Sequence, residues 1–170
     1  MGIKLNFLEI PSINTKDGSS MFNKILVPLD CSKYAETSLK VAIEIAKKFN
    51  SSLSLIHVVS SREEYCRSGI TGKILVKCKI KEITEEDIPK ICNELLDSSK
   101  KTVIAEGVPV HTILKEGKVV EEILNTIKER EIDLVVMGSR GQNMIKKLLL
   151  GSVSSGVVKA AICPVLLTRN

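Results

Sequence analysis

Ile132-Asp133-Leu134-Val135-Val136-Met137 is the strongest strand signal in the chain, and this stretch runs directly into Gly138. A short apolar run of this kind is typical of a strand that is covered on both faces. The stretch Ile25-Leu26-Val27-Pro28-Leu29-Asp30 has the same character and ends on an acidic residue. Both stretches therefore predict buried strands.

Helical and strand-like segments alternate along the rest of the chain. After Ser32 the apolar residues recur at helical spacing until Asn50, and Leu53–Val59 then has the character of a strand. The later segments are a helix opening at Thr84 with Pro89 near the start of its regular bonding, a strand over Val108–Leu114, a helix around Val119–Ile127, a helix around Val153–Ala161 and a strand over Cys163–Thr168. Strands that alternate with helices imply a parallel sheet with right-handed crossovers. We predict a three-layer α/β sandwich with five parallel strands.

Length and composition fit one globular domain built on an aliphatic core. The chain has 170 residues, of which 44% are hydrophobic but only 3% aromatic, so Ile, Leu and Val must fill the core. Its formal charge of +5 is spread along segments in which lysines alternate with glutamates, a pattern typical of solvated helix faces. A nucleic-acid partner would call for a basic stripe with interleaved aromatics, which the sequence lacks. We therefore predict no nucleic-acid partner.

Cysteine usage and hydropathy predict a cytoplasmic protein without a membrane partner. The five cysteines are odd in number and show no CxxC spacing, and only two histidines are present. This pattern indicates reduced thiols and no histidine-based metal centre. No run reaches the roughly 18 apolar residues of a membrane span, and the N-terminus lacks the apolar core of a signal peptide.

Two segments fall outside this plan. Residues 1–20 are polar, are broken by Pro11 and precede Met21. We expect them to form an extension, either a flexible tail or a partner-docking arm, and residues 21–170 to form the domain. The segment Ser60–Ile83 stays open, although the alternating residues Lys73–Lys81 could add a strand.

The glycines after the strongest strand carry the functional signal. Gly138-Ser139-Arg140-Gly141 is followed by nine residues and then by Gly151-Ser152. Glycine can adopt positive φ and lets the backbone approach a ligand closely, and successive N–H groups in such a loop form an anion nest. Ser152 would add a hydroxyl and the amides of a helix start, and Arg140 a charge-assisted bond. A tight turn without a ligand is the alternative, but the second Gly-Ser favours phosphate binding.

Ligands of open parallel sheets lie beyond the carboxyl ends of the strands, at the point where the strand order reverses. If the first strand lies beside the fourth, Asp30 and Gly138 face each other across one crevice. Asp30 would then accept from a ribose hydroxyl or an adenine amine, unless it caps the following helix. Capping is the preferred role of Ser32. Val58 could offer its backbone to an adenine edge, whereas His57 is expected to be a packed strand histidine.

These residues resemble the universal stress protein family, and specifically its ATP-binding branch. The likeness covers about Phe22 to Arg169. The matching stretches are Lys24-Ile25-Leu26-Val27-Pro28-Leu29-Asp30-Cys31-Ser32, Leu55-Ile56-His57-Val58, Asp133-Leu134-Val135-Val136-Met137-Gly138-Ser139-Arg140-Gly141, Gly151-Ser152-Val153-Ser154 and Cys163-Pro164-Val165-Leu166.

The resemblance implies a Rossmann-like, adenine nucleotide alpha hydrolase-like fold with the strands in the order 3-2-1-4-5. It also implies ATP as the ligand, alone or with Mg²⁺, and a role in the stress response. Members of the family are typically homodimers that pair through the last strand, here Val165–Thr168. The resemblance also implies a protein partner that the sequence does not identify. The residues it implies at the nucleotide are Pro28, Leu29, Asp30, Val58, Met137, Gly138, Ser139, Arg140, Gly141, Gly151, Ser152, Val153 and Ser154.

Three functions compete at this point: a nucleotide-binding regulator, an ATP-hydrolysing or adenylate-forming enzyme, and a dimeric scaffold without nucleotide. The sequence has no Walker-type Gly-Lys-Ser/Thr loop and no GxGxxG after the first strand. Hydrolysis needs a residue that positions water, and none is assigned. Cys31 is a poor nucleophile because the neighbouring Asp30 disfavours its thiolate. We favour the regulator, with no catalytic or metal-binding residue, and leave slow or partner-dependent hydrolysis open.

Overall fold

A computed structural model of the chain describes residues 21–60, 87–141 and 150–169. The predicted extension over residues 1–20 and the predicted extra strand over Lys73–Lys81 lie outside these ranges. The described elements are, in chain order, β1 (Lys24–Pro28), α1 (Lys33–Phe49), β2 (Ser52–Val59), α2 (Ile88–Ala105), β3 (Val110–Glu116), α3 (Val119–Arg130), β4 (Leu134–Gly138), α4 (Ser152–Ala160) and β5 (Val165–Thr168).

The sheet has the predicted topology. Its five strands are all parallel and lie in the order β3-β2-β1-β4-β5. The order reverses between β1 and β4, which pair directly with Ile25 opposite Leu134. The carboxyl ends of these two strands therefore open on the same edge of the sheet, where such folds place their ligands.

The core is aliphatic and lies on both faces of the sheet. Alternate residues of β1 face opposite ways: Ile25 and Val27 pack in a cluster with α1 and α2, and Leu26 packs in a cluster with α3 and α4. The largest fully buried side chains are all Ile, Leu or Val. This confirms the three-layer arrangement and the predicted core composition. None of the helices within the described ranges is long and apolar enough to cross a membrane.

Local sequence explains where the helices begin and end. Ser32 caps α1, and α1 ends at Asn50, which takes the left-handed conformation at φ 56° and donates its N–H to the Ala46 carbonyl. Helix α2 begins at Ile88, with Pro89 in its first turn, where the missing N–H costs no helical hydrogen bond. The predicted role of Pro89 is confirmed, whereas Thr84 lies outside the described residues.

Candidate functional site

The carboxyl ends of β1 and β4 meet at Asp30 and Gly141. A Cβ placed on Gly141 would lie only 2.9 Å from Asp30 Oδ2. The carboxylate that follows β1 is thus seated directly on the glycine that follows β4. The sequence placed Asp30 opposite Gly138, whereas in the structure the neighbour of Asp30 is Gly141, three residues further along the same turn.

A tight turn holds Asp30 in this place. Asp30 Oδ1 accepts a hydrogen bond of 3.0 Å from the Ser32 N–H. Cys31 between them takes the left-handed conformation at φ 62°. Ser32 Oγ in turn accepts from the Ala35 N–H at 3.1 Å, so Ser32 is the N-cap of α1. The preferred role of Ser32 is confirmed, and the cap of α1 is not Asp30.

His57 is a packed strand histidine, as expected. The residue is 2% exposed, and its Nδ1 lies 2.6 Å from the Leu29 carbonyl oxygen. Burial lowers the pKa of His57, and the hydrogen bond with Leu29 and the charge of Asp30 oppose this effect. Because a carbonyl oxygen only accepts hydrogen bonds, Nδ1 carries the proton in this contact. Beside it at the end of β2, Val58 is half-buried.

The loop between β4 and α4 has two described parts, the glycine turn Gly138–Gly141 and the residues that begin α4 at Gly151. Hydrogen bonds join these two parts to each other and to β5. The Gly151 N–H donates to the Ser139 carbonyl at 2.9 Å, and the Ser139 N–H donates to the Thr168 carbonyl at 2.9 Å. The Ser154 hydroxyl lies 2.9 Å from the same Ser139 carbonyl oxygen and 3.0 Å from that of Gly151. The start of α4 is therefore held against the end of β4.

Close approach, and not positive φ, explains Gly138 and Gly141, whereas a Cβ on Gly151 would make only ordinary contacts. Among the described glycines only Gly107 and Gly117 have positive φ, so the suggested use of positive φ in the loop is wrong. A Cβ on Gly138 would lie 2.7 Å from Tyr34 Cβ, and one on Gly151 would lie 3.4 Å from Arg140 Cα. A side chain at Gly138 or Gly141 would separate segments that pack backbone to backbone or backbone to carboxylate.

The N-terminus of α4 completes the site. The first bond of its helical pattern runs from the Ser155 N–H to the Gly151 carbonyl at 2.9 Å. The amides of Ser152, Val153 and Ser154 come before it and therefore have no acceptor inside the helix. Gly151 itself lies so close to Gly141 that a Cβ on it would be 3.6 Å from the Gly141 nitrogen. The helix start and the glycine turn thus bring N–H groups into one small region, where the helix dipole favours an anion.

A buried polar pair that was not predicted, Ser38 and Thr168, supports this region from α1. Ser38 Oγ and Thr168 Oγ1 lie 2.7 Å apart in the interior, and the Ser38 hydroxyl lies 2.8 Å from the Tyr34 carbonyl oxygen. Thr168 pairs with Gly138 in the β4–β5 register. The predicted strand order could have placed a threonine at the end of β5 beside Gly138, but the helical residue Ser38 gave no such signal.

A separate cavity of about 230 Å³ opens at the same edge of the sheet, next to Val58. It is lined by Val59, Ile88, Pro89, Leu114, Lys115 and Glu116. It lies at the ends of β2 and β3, whereas the glycine turn follows β4 at the far side of β1. No phosphate-binding group is assigned to this cavity.

The family profile, the similar sequences and the similar solved structures all point to the same family. The profile of the Universal stress protein family matches residues 21–169. Universal stress protein YxiE of Bacillus subtilis is 36% identical over 88% of this chain and 100% of its own length. The solved structure of the Methanocaldococcus jannaschii protein MJ0577 superposes with a TM-score of 0.66 at 30% identity, covering 88% of this chain and 99% of that one. A universal stress protein solved in complex with cAMP shares the fold, with a TM-score of 0.64 at 20% identity over 89% of this chain and 98% of that one.

Proposed function

Because the chain belongs to the universal stress protein family, we propose that it binds ATP at the carboxyl edge of its sheet and acts as a nucleotide-dependent regulator in the stress response. The contact between Asp30 and Gly141 carries this proposal. It joins a hydrogen-bond acceptor suited to a nucleoside with a glycine turn suited to phosphates, at the point where the strand order reverses.

The phosphate half of the proposed site is built from backbone. The amides of Gly141 and of Ser152, Val153 and Ser154 supply donors, and Arg140 supplies positive charge. The Ser154 hydroxyl already lies against two loop carbonyls, so we assign its phosphate contact to its amide. Gly138, Ser139 and Gly151 shape the turn, as their packing and hydrogen bonds support.

The nucleoside half lies along β1 and β2. Asp30 would accept from a ribose hydroxyl or from the adenine amine, and Val58 would offer its backbone to the adenine edge. Pro28 and Leu29 would form the apolar wall at the end of β1, and Met137 would close the site at the end of β4. Two proteins of the same fold have been solved with adenine nucleotides, cAMP in one and dAMP in the other.

A calorimetric titration with ATP, ADP and AMP tests the proposal. We expect each phosphate to add affinity, with ATP at least about tenfold tighter than AMP, because each charge-assisted hydrogen bond contributes about 1.5–3 kcal/mol. The titration should be run with and without Mg²⁺, and the nucleotide then recovered by chromatography. Intact ATP would support the regulator, and steady conversion to ADP would favour the ATPase. Equal affinity for AMP and ATP, or no binding of either, would contradict the proposed site.

We also propose that two copies pair through β5. This strand lies at the edge of the sheet, and Val165, Leu166 and Leu167 on it are only half-buried. Ile162, just before the strand, is 73% exposed. Pairing of β5 with a second copy would cover these side chains and complete the edge. Sedimentation equilibrium should give the mass of a dimer, and a monomer at micromolar concentration would contradict this pairing.

The remaining features fit a cytoplasmic domain that we propose to span residues 21–170. Cys31, Cys92 and Cys163 are free thiols, the state in which a reducing compartment keeps cysteines. Fractionation of cells that produce the chain would test this location. Recovery of the chain outside the cytoplasmic fraction would contradict it.

A further inference from the structure

The contact between His57 and Leu29 joins β2 to the turn that carries Asp30. Leu29 follows the last residue of β1, and its N–H donates to the Ile56 carbonyl at 2.8 Å. Its carbonyl oxygen lies 2.6 Å from Nδ1 of His57. The backbone of β2 thus holds one side of Leu29, and a side chain of β2 holds the other.

The Leu29 carbonyl belongs to the peptide unit that begins Asp30. Since a peptide unit is planar, fixing its oxygen also fixes the direction of the Asp30 N–H and the path of the chain into Asp30. At the end of that path the Asp30 carboxylate lies beside Gly141, since its Oδ2 is 2.9 Å from where a Cβ on Gly141 would lie. A rotation of the Leu29–Asp30 peptide would therefore change the position of the carboxylate relative to Gly141.

We propose that His57 is a positioning residue for the nucleotide site, which holds the Leu29–Asp30 peptide so that the Asp30 carboxylate faces the Gly141 turn. The inference rests on the proposed function. An aliphatic side chain at position 57 would also suit the buried interior, but it would leave the Leu29 carbonyl without this donor. Burial favours the neutral ring, whose Nδ1–H tautomer makes the contact.

Asparagine and leucine offer a matched pair of variants at this position. Their side chains have nearly the same shape, but His57→Asn places an amide donor near the position of Nδ1, whereas His57→Leu has no donor. We expect His57→Leu to lower ATP affinity about tenfold, which corresponds to the net contribution of about one hydrogen bond. His57→Asn should stay within about threefold of the natural chain, on the same scale.

A double-mutant cycle with Asp30 distinguishes positioning of the carboxylate from a general loss of packing. If His57 acts through Asp30, then Asp30→Asn should cost less affinity in the His57→Leu background than in the natural chain. Equal costs in the two backgrounds would overturn the inference, as would equal ATP affinity in His57→Leu and the natural chain. If His57→Leu fails to fold by circular dichroism, His57→Gln replaces it, because its amide lies one methylene further from its own backbone and so no longer matches the position of Nδ1.

Amide NMR without nucleotide separates this inference from the proposed function. The Ser32 N–H donates to Asp30 Oδ1 at 3.0 Å, so its resonance reports where the carboxylate lies. The Ser32 resonance should shift in His57→Leu and return in His57→Asn. An unmoved resonance in His57→Leu would overturn the positioning role even if ATP binds. If the natural chain binds no ATP but Ser32 shifts as expected, only the proposed function fails.

Discussion

Replacing Gly141 with valine is expected to abolish ATP binding while the chain keeps its fold. The new Cβ would lie 2.9 Å from Asp30 Oδ2, so the carboxylate would have to leave its place. The two added methyl groups would also occupy space beside the amides of the turn. Gly141 does not have positive φ, so valine brings no left-handed strain, and the end of the Asp30 side chain is the only described group within 4 Å of the new Cβ.

The expected loss of affinity is at least about 100-fold, because the variant removes the Asp30 contact and at least one amide contact, each worth about 1.5–3 kcal/mol. Calorimetry with ATP measures this loss. Gly141→Ala should give an intermediate loss, since it displaces Asp30 but adds no further methyl groups to the turn.

Gly107→Ala is the control for general effects of replacing a glycine. Gly107 lies just before β3, at the amino-terminal ends of the strands and so away from the proposed site. Its φ is +75°, and no atom lies within 4 Å of a new Cβ. The variant should lose about 1–2 kcal/mol of stability from backbone strain and keep its ATP affinity. Binding of ATP by Gly141→Val within about threefold of the natural chain would show that the turn is not at the phosphates.

Replacing Gly138 with alanine is expected to weaken the fold itself. The new Cβ would lie 2.7 Å from Tyr34 Cβ and 3.0 Å from the Arg140 carbonyl oxygen. Neither atom is at the end of a flexible side chain, so the first turn of α1 must move away from β4. Overpacking of this kind costs about 1–3 kcal/mol, and each kcal/mol lowers the Tm of a chain of this size by about 2–4 °C.

Thermal and urea unfolding measure this effect, with Gly151→Ala as the matched control in the same loop. A Cβ on Gly151 would approach no neighbour closer than 3.4 Å, so this variant should lose less stability than Gly138→Ala. If the two variants unfold at the same temperature and urea concentration, then the close packing of α1 against Gly138 is not the reason for a glycine at that position.

The strands were predictable because their signals are local, whereas their order in the sheet was predicted only through the family resemblance. Uninterrupted apolar runs such as Ile25–Val27 and Leu134–Met137 must be buried, and the helices between the strands indicate a parallel sheet. The Ser32 cap was also predictable, since a hydroxyl before a helical pattern is a strong local signal.

The geometry of the site was only partly predictable, because it depends on distances between segments far apart in the chain. The pattern of Gly138, Gly141 and Gly151 marked the turn, but it did not show that each glycine meets a different neighbour. The hydrogen bond from His57 to Leu29 was also hidden. A histidine in a strand pattern shows neither its tautomer nor the carbonyl it will contact.

A crystal structure with bound ATP, or with an analogue that cannot be hydrolysed, would show directly whether the phosphates bind at the glycine turn. We expect phosphate oxygens within hydrogen-bonding distance of the amides of Gly141 and of Ser152–Ser154, with the nucleoside between Asp30 and Val58. Phosphates that bind away from these amides, or a nucleotide seated elsewhere on the molecule, would contradict it.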